Sequence, residues 1–184
     1  MKITIDHSKL PQWTIDCRSL SSAVDLKKIL SKFTRGTYEI YVIYNGIRET
    51  GKYGMTADSK QGERMYRQIW RFPGWPNVPS ESSSGNDIDD TVELLMQKYP
   101  GLTKDNVYVH VWDMSYLQPT NRLSPDVEPR ILEGQLILEH AERTGRCPIG
   151  NKQEQRRLEN GKQIIIVKPI VPDLVMDKLF DWAD

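Results

Sequence analysis

One stretch constrains this chain more than any other: Glu39-Ile40-Tyr41-Val42-Ile43-Tyr44-Asn45-Gly46, followed by Lys52-Tyr53-Gly54-Met55-Thr56. β-branched and aromatic residues fill Tyr38 to Tyr44, and Asn-Gly is a favoured turn pair. The pattern predicts a strand over 38–44, a loop running on to Gly51 and a returning strand over 52–56. Tyr41 and Lys52 stand on opposite strands at roughly matching distances from the turn. Cross-strand neighbours on one face lie about 5 Å apart, so the two residues are expected to meet.

The rest of the chain supplies elements to pack on this hairpin. Residues 2–5 read as a short strand. Ser22 to Phe33 reads as a helix, with Val24, Leu26, Ile29, Leu30 and Phe33 near helical spacing. Gln61 to Phe72 is a second helix, stopped by Pro73-Gly74, and 73–86 is a loop by composition. Asp87 to Lys98 is a third helix and Val107 to Trp112 a further strand. Pro129 to Arg143 is a helix with Pro in its first turn and Gly145 at its exit. Gln163 to Val167 reads as a last strand. The expected fold is α/β (α+β): a small antiparallel sheet flanked by helices, with a core over 37–151 and additions over 1–36 and 152–184.

Composition narrows the class. The 184 residues are 38% hydrophobic and 27% charged, with zero formal net charge, ordinary values for a globular chain. No apolar run approaches the roughly 18 residues of a membrane span, and the charged opening does not read as a signal peptide. Cys17 and Cys147 are too few for a disulfide framework and lack metal-site spacing, which points to a reducing, cytoplasmic setting. The charges are uneven. Glu81 to Glu93 is acidic, whereas the segment from Arg143 to Lys168 is basic, carrying Arg146, Lys152, Arg156 and Arg157. Arg64, Arg67 and Arg71 are interleaved with Tyr66 and Trp70. Arginines among aromatics suit phosphates and bases, although a solvated helix face has the same appearance.

The order hairpin, helix, loop and helix, strand, helix, with its polar residues, resembles the GIY-YIG nuclease domain over about residues 37–151. The family's Gly-Ile-Tyr aligns with Glu39-Ile40-Tyr41. Its Tyr-Ile-Gly, two before a Thr, aligns with Lys52-Tyr53-Gly54 and Thr56. Its helical Arg with a His four residues on aligns with Arg64 and Gln68. Its late Glu, followed by Leu-Ile, aligns with Glu133 before Leu136-Ile137, and its Asn after a Pro with Asn151 after Pro148. Three positions depart from the pattern: Glu39 for the first glycine, Lys52 for the second tyrosine and Gln68 for the histidine. One restriction-endonuclease branch of the family also carries lysine at that second tyrosine.

The resemblance implies hydrolysis of DNA phosphodiester bonds. A tyrosine is a poor base near neutral pH, its pKa being about 10. Lys52 would take the proton of Tyr41 or stabilise its phenolate. Arg64 would hold a phosphate oxygen, and Gln68 would hydrogen-bond phosphate or water. Glu133 would bind one Mg²⁺ (or Mn²⁺) per active site. Arg67, Arg71, Arg143, Arg146, Lys152, Arg156 and Arg157 would contact DNA, with specificity set by the loop 73–86 and the basic segment 143–162. Each residue alone also fits a plainer role: a sheet tyrosine, a solvated lysine, a surface arginine or glutamine, a capping or ion-paired glutamate. His140 reads as a boundary residue and His110 as a core or sheet-face one. The expected activity is that of a metal-dependent restriction endonuclease on double-stranded DNA, acting as a homodimer to cut both strands. A phage or mobile-element nicking enzyme, or a non-catalytic DNA-binding protein on the same scaffold, stands as the alternative.

Overall fold

The computed structural model describes residues 2–57, 61–76, 90–117, 127–151, 158–159, 162–163 and 180–183. The hairpin forms its centre. β3 (Gly36–Tyr44) and β4 (Ile47–Thr56) pair antiparallel, joined by Asn45-Gly46 alone. Both turn residues have positive φ, 49° and 77°, as a two-residue turn matched to strand twist requires. The loop expected to reach Gly51 is therefore a strand. Arg48 and Thr50, polar enough to read as loop, bond across the ladder to Glu39.

β3 is central in a four-stranded antiparallel sheet. β5 (Val107–Asp113) lies on its other side, and β2 (Gln12–Asp16), not anticipated from the sequence, extends the order to β2-β5-β3-β4. β1 (Lys2–Ile5) pairs antiparallel with β8 (Phe180–Ala183), and β6 (Leu158–Glu159) with β7 (Lys162–Gln163). Of the expected strand 163–167, residues 164–167 lie outside the described residues.

Strand alternation sorts the sheet into two faces. On one, Tyr38, Ile40 and Val42 join Val107, Val109 and Val111 beneath α1 (Ala23–Leu30), α2 (Gln61–Ile69) and α3 (Thr91–Lys98). On the other, Tyr53 and Trp112 pack with Ile131, Leu132 and Leu136 of α4 (Val127–Thr144). α1 starts where Ser22 caps it, its hydroxyl accepting from the Asp25 N–H at 3.2 Å. α4 ends at Gly145, which has positive φ and donates its N–H to Ala141 O at 2.8 Å. The fold is thus α+β, with helices on both faces of a small antiparallel sheet. The first 36 residues are built into it, since β2 joins the sheet and α1 the larger core. Among the described residues no helix is long and apolar enough to cross a membrane.

Candidate active site at the β4 edge

The register separates two residues expected to meet. Lys52 lies opposite Ile40, and Tyr41 opposite Thr50, because Gly51 is an extra residue bulged out of β4. A side chain on Gly51 would press to within 2.8 Å of Leu95 on α3, so the bulge turns toward the helical face that Ile40 occupies. Lys52, half-buried, shares that face. Tyr41 is on the other one, beneath the Arg48 guanidinium at 4.0 Å and stacked on Tyr108 at 5.2 Å. Burial pushes its phenol pKa up despite Arg48. The pairing of Tyr41 with Lys52 is therefore corrected.

Tyr38 takes the place expected of Tyr41. It lies opposite Gly54, so Lys52, two residues from Gly54, is its diagonal neighbour at roughly 7–8 Å, within reach of long side chains. The Tyr38 ring reaches across the ladder onto Gly54, and an added Cβ there would sit 2.4 Å from its hydroxyl oxygen. Its hydroxyl donates to Gln68 Oε1 of α2 at 3.2 Å. The sequence held a signal for this alignment. Gly36-Thr37-Tyr38 has the glycine that Glu39-Ile40-Tyr41 lacks, and a Cβ on Gly36 would strike Trp112 O at 2.2 Å. Glu39 lies apart from this group. It is a buried carboxylate on the opposite face, held by Arg48 at 2.8 and 2.9 Å and by the Thr50 hydroxyl at 2.7 Å.

The tight contact at Gly54 gives a testable consequence. Gly54→Ala is expected to cost about 1–3 kcal/mol by overpacking and to push Tyr38 from its bond with Gln68. Urea unfolding together with the near-ultraviolet tyrosine signal would show both; an unchanged midpoint and spectrum would mean that the ring is not confined.

Asn151 fixes the outer edge of the same strand. It accepts from the Tyr53 N–H at 3.0 Å and donates to Tyr53 O at 2.9 Å, while the Gly150 N–H donates to Gly51 O at 2.7 Å. These bonds cover an edge that would otherwise present unpaired backbone groups. Burial pushes the Tyr53 phenol up to about 12, so it is protonated and packs as an apolar ring.

The other expected residues are placed unevenly. Arg64 and Gln68 are one turn apart on α2; Gln68 is buried, and the Arg64 side chain lies outside the described ones. Glu133 is half-buried on α4, beside Leu132 and Leu136. α2 and α4 flank β4 from opposite faces, so Gln68 and Glu133 stand on either side of the strand that carries Lys52. Among the described residues no group of three or more acidic, histidine or cysteine side chains is assembled for a metal. Glu133 alone suits only a hard cation whose other ligands are water and substrate phosphate. Arg67 is exposed, whereas Arg71 is paired with Glu93 and Arg146 with Glu49. Arg143 is exposed at the end of α4. Lys152, Arg156 and Arg157 lie outside the described residues, as do positions 77–86 of the loop expected to set specificity. His110 bonds to Thr14 and Gln12 on the sheet face. His140, expected at the boundary, is buried.

Comparison with family models, curated proteins and solved structures finds no match to this chain.

Proposed function

We propose that the chain is a metal-dependent DNA endonuclease of the GIY-YIG kind, working in the cytoplasm, with Tyr38, Lys52, Arg64, Gln68 and Glu133 as its hydrolytic group. One observation carries the reading: Tyr38 shares a sheet face with Lys52 and Gly54 and bonds to Gln68. Those residues arrive from three separate elements in the order that the resemblance requires.

The chemistry assigns each a task. Hydrolysis needs a water placed in line with the phosphorus and relieved of a proton, and the P–O3′ bond must break as the new P–O bond forms. The Lys52 ammonium favours the Tyr38 phenolate, which would accept that proton. Gln68 carries no exchangeable charge; it accepts a hydrogen bond and orients the phenol. Arg64 offsets charge on the phosphate oxygens. A divalent cation held by Glu133 would stabilise the leaving oxygen. One such site cuts one strand, so breaking both strands calls for a homodimer or two successive nicks.

A second reading is a non-catalytic DNA-binding protein. It is favoured by the complete burial of Tyr38, 0% exposed with its hydroxyl on Gln68. Glu133→Gln separates the two. On the nuclease reading it abolishes cleavage and leaves DNA affinity within a few-fold, because phosphate contacts elsewhere persist. Single-turnover cleavage in Mg²⁺ beside a binding titration in Ca²⁺ would measure both. Cleavage at the wild-type rate by Glu133→Gln removes the assignment.

A further inference from the structure

Where β4 leaves the turn it faces the last turn of α4 across a half-open cleft of about 320 Å³. Arg48, Arg143 and Arg146 line this cleft, with His140 and Glu49 in its wall. Arg143 has no ion-pair partner among the described residues. Arg48 is held through one terminal nitrogen by Glu39 and reaches the Thr50 hydroxyl with the other at 3.4 Å. Glu49 is already satisfied by Lys98 at 2.8 Å and the Tyr99 hydroxyl at 2.9 Å, so the contacts of Arg146 at 3.2 and 3.3 Å are surplus to it. Four cations (Arg48, Lys98, Arg143, Arg146) therefore stand against two carboxylates (Glu39, Glu49), an excess of two positive charges. Independently, His140 is only 8% exposed, yet its Nδ1 is buried without a hydrogen-bond partner. His140 thus forms part of the cleft wall with its Nδ1 out of solvent contact. The C-terminal end of α4 carries partial negative charge, which the arginines must outweigh to hold an anion. Of the last four carbonyls, Ala141 O accepts from the Gly145 N–H at 2.8 Å.

We propose that this cleft is a phosphate-binding site, in which the guanidinium groups of Arg48, Arg143 and Arg146 donate to a phosphate oxyanion beside His140. Arg143 lies ten positions beyond Glu133 on α4, about 15 Å along the helix. A phosphate held here is thus not the one under attack at the β4 edge. The proposal refines the DNA reading by joining Arg143 and Arg146 to Arg48 and His140 in one site, and it does not require that DNA be cut. The oxyanion is either a backbone diester of DNA or a terminal or free phosphate.

The test uses the full chain and reads binding alone. Inorganic phosphate, a duplex lacking terminal phosphates and the same duplex with 5′-phosphates are titrated into wild type and into Arg143→Gln/Arg146→Gln. Both residues are exposed, and an unchanged melting temperature confirms the fold. The wild type is expected to bind inorganic phosphate and shift the His140 ring nitrogen resonance. The double variant is expected to weaken phosphate binding by about tenfold or more. A backbone diester predicts the same loss with the unphosphorylated duplex, with the slope of log K against log salt flattening by about one to two units. A loss confined to inorganic phosphate and the 5′-phosphorylated duplex assigns the terminal group and supports the site equally. Wild-type phosphate binding that is absent, or that the double variant retains in full, overturns it. Because cleavage is not read, a chain that fails to cut DNA can still pass this test.

Discussion

Tyr38→Phe and Lys52→Met are each expected to slow single-turnover cleavage by about 10² or more, the usual range for an acid–base group, while Tyr41→Phe leaves the rate unchanged. The contrast follows from the register. Tyr38 and Lys52 share the face of β3 and β4 that α2 covers, whereas the bulge at Gly51 leaves Tyr41 on the other. If Lys52 sets the ionisation of Tyr38, the two act as a unit and their losses do not add, so the double variant is little worse than either alone. Tyr38→Phe gives up the hydrogen bond to Gln68, worth about 1 kcal/mol, which leaves the chain folded for the assay. Rates at saturating enzyme from pH 6 to 9 separate catalysis from DNA contact. A slow Tyr41→Phe beside a fast Tyr38→Phe would return the role to Tyr41.

Arg35→Met is expected to destabilise the fold by about 3–5 kcal/mol, the usual cost of stranding one half of a buried ion pair. Arg35 and Glu128 are 5% and 3% exposed and paired with each other, and Arg35 also donates to Leu117 O at 3.1 Å. At roughly 2–4 °C per kcal/mol for a chain of this size, the melting temperature falls by roughly 10 °C. Arg35→Met/Glu128→Met is expected to regain most of the loss, since no charge is then left alone. The pair matters to the site because Arg35 precedes β3 and Glu128 lies in the first turn of α4, the helix that carries Glu133. Thermal unfolding of the two variants decides the matter: an Arg35→Met protein as stable as wild type would mean that the pair is not closed in solution.

Periodicity was legible where one face is buried. The helix read over 22–33 is observed as Ala23–Leu30, and that read over 129–143 as Val127–Thr144. It failed where both faces carry polar groups. Arg48, Glu49 and Thr50 look like a loop, yet they form ladder because Glu39, Lys98 and Tyr99 satisfy them from either side. β2 escaped notice because Gln12, Trp13 and Thr14 are exposed and only Ile15 of its apolar residues is buried. At the candidate site, the positions of Lys52 and Gln68 on their elements were legible, but which tyrosine shares a face with Lys52 was not. A strand's side chains alternate with period two, so one bulged residue reverses which side chains share a face. Without the bulge at Gly51, Lys52 would lie opposite Glu39 and share a face with Tyr41; with it, Lys52 lies opposite Ile40 and shares a face with Tyr38. That His140 lines a cleft could not be recognised from its helix position alone, because that cleft is closed by Arg48 and Thr50 from a strand about 90 residues earlier.

Supercoiled plasmid should be incubated with the wild-type chain and with Lys52→Met, in Mg²⁺ and then in Mn²⁺, and the appearance of nicked and linear forms followed on a gel. A phosphodiester hydrolase built on Tyr38, Lys52 and Glu133 yields nicked or linear DNA from the wild type and none, or at least about 10²-fold less, from Lys52→Met. Intact plasmid with the wild type in both metals, or equal cutting by Lys52→Met, would contradict it.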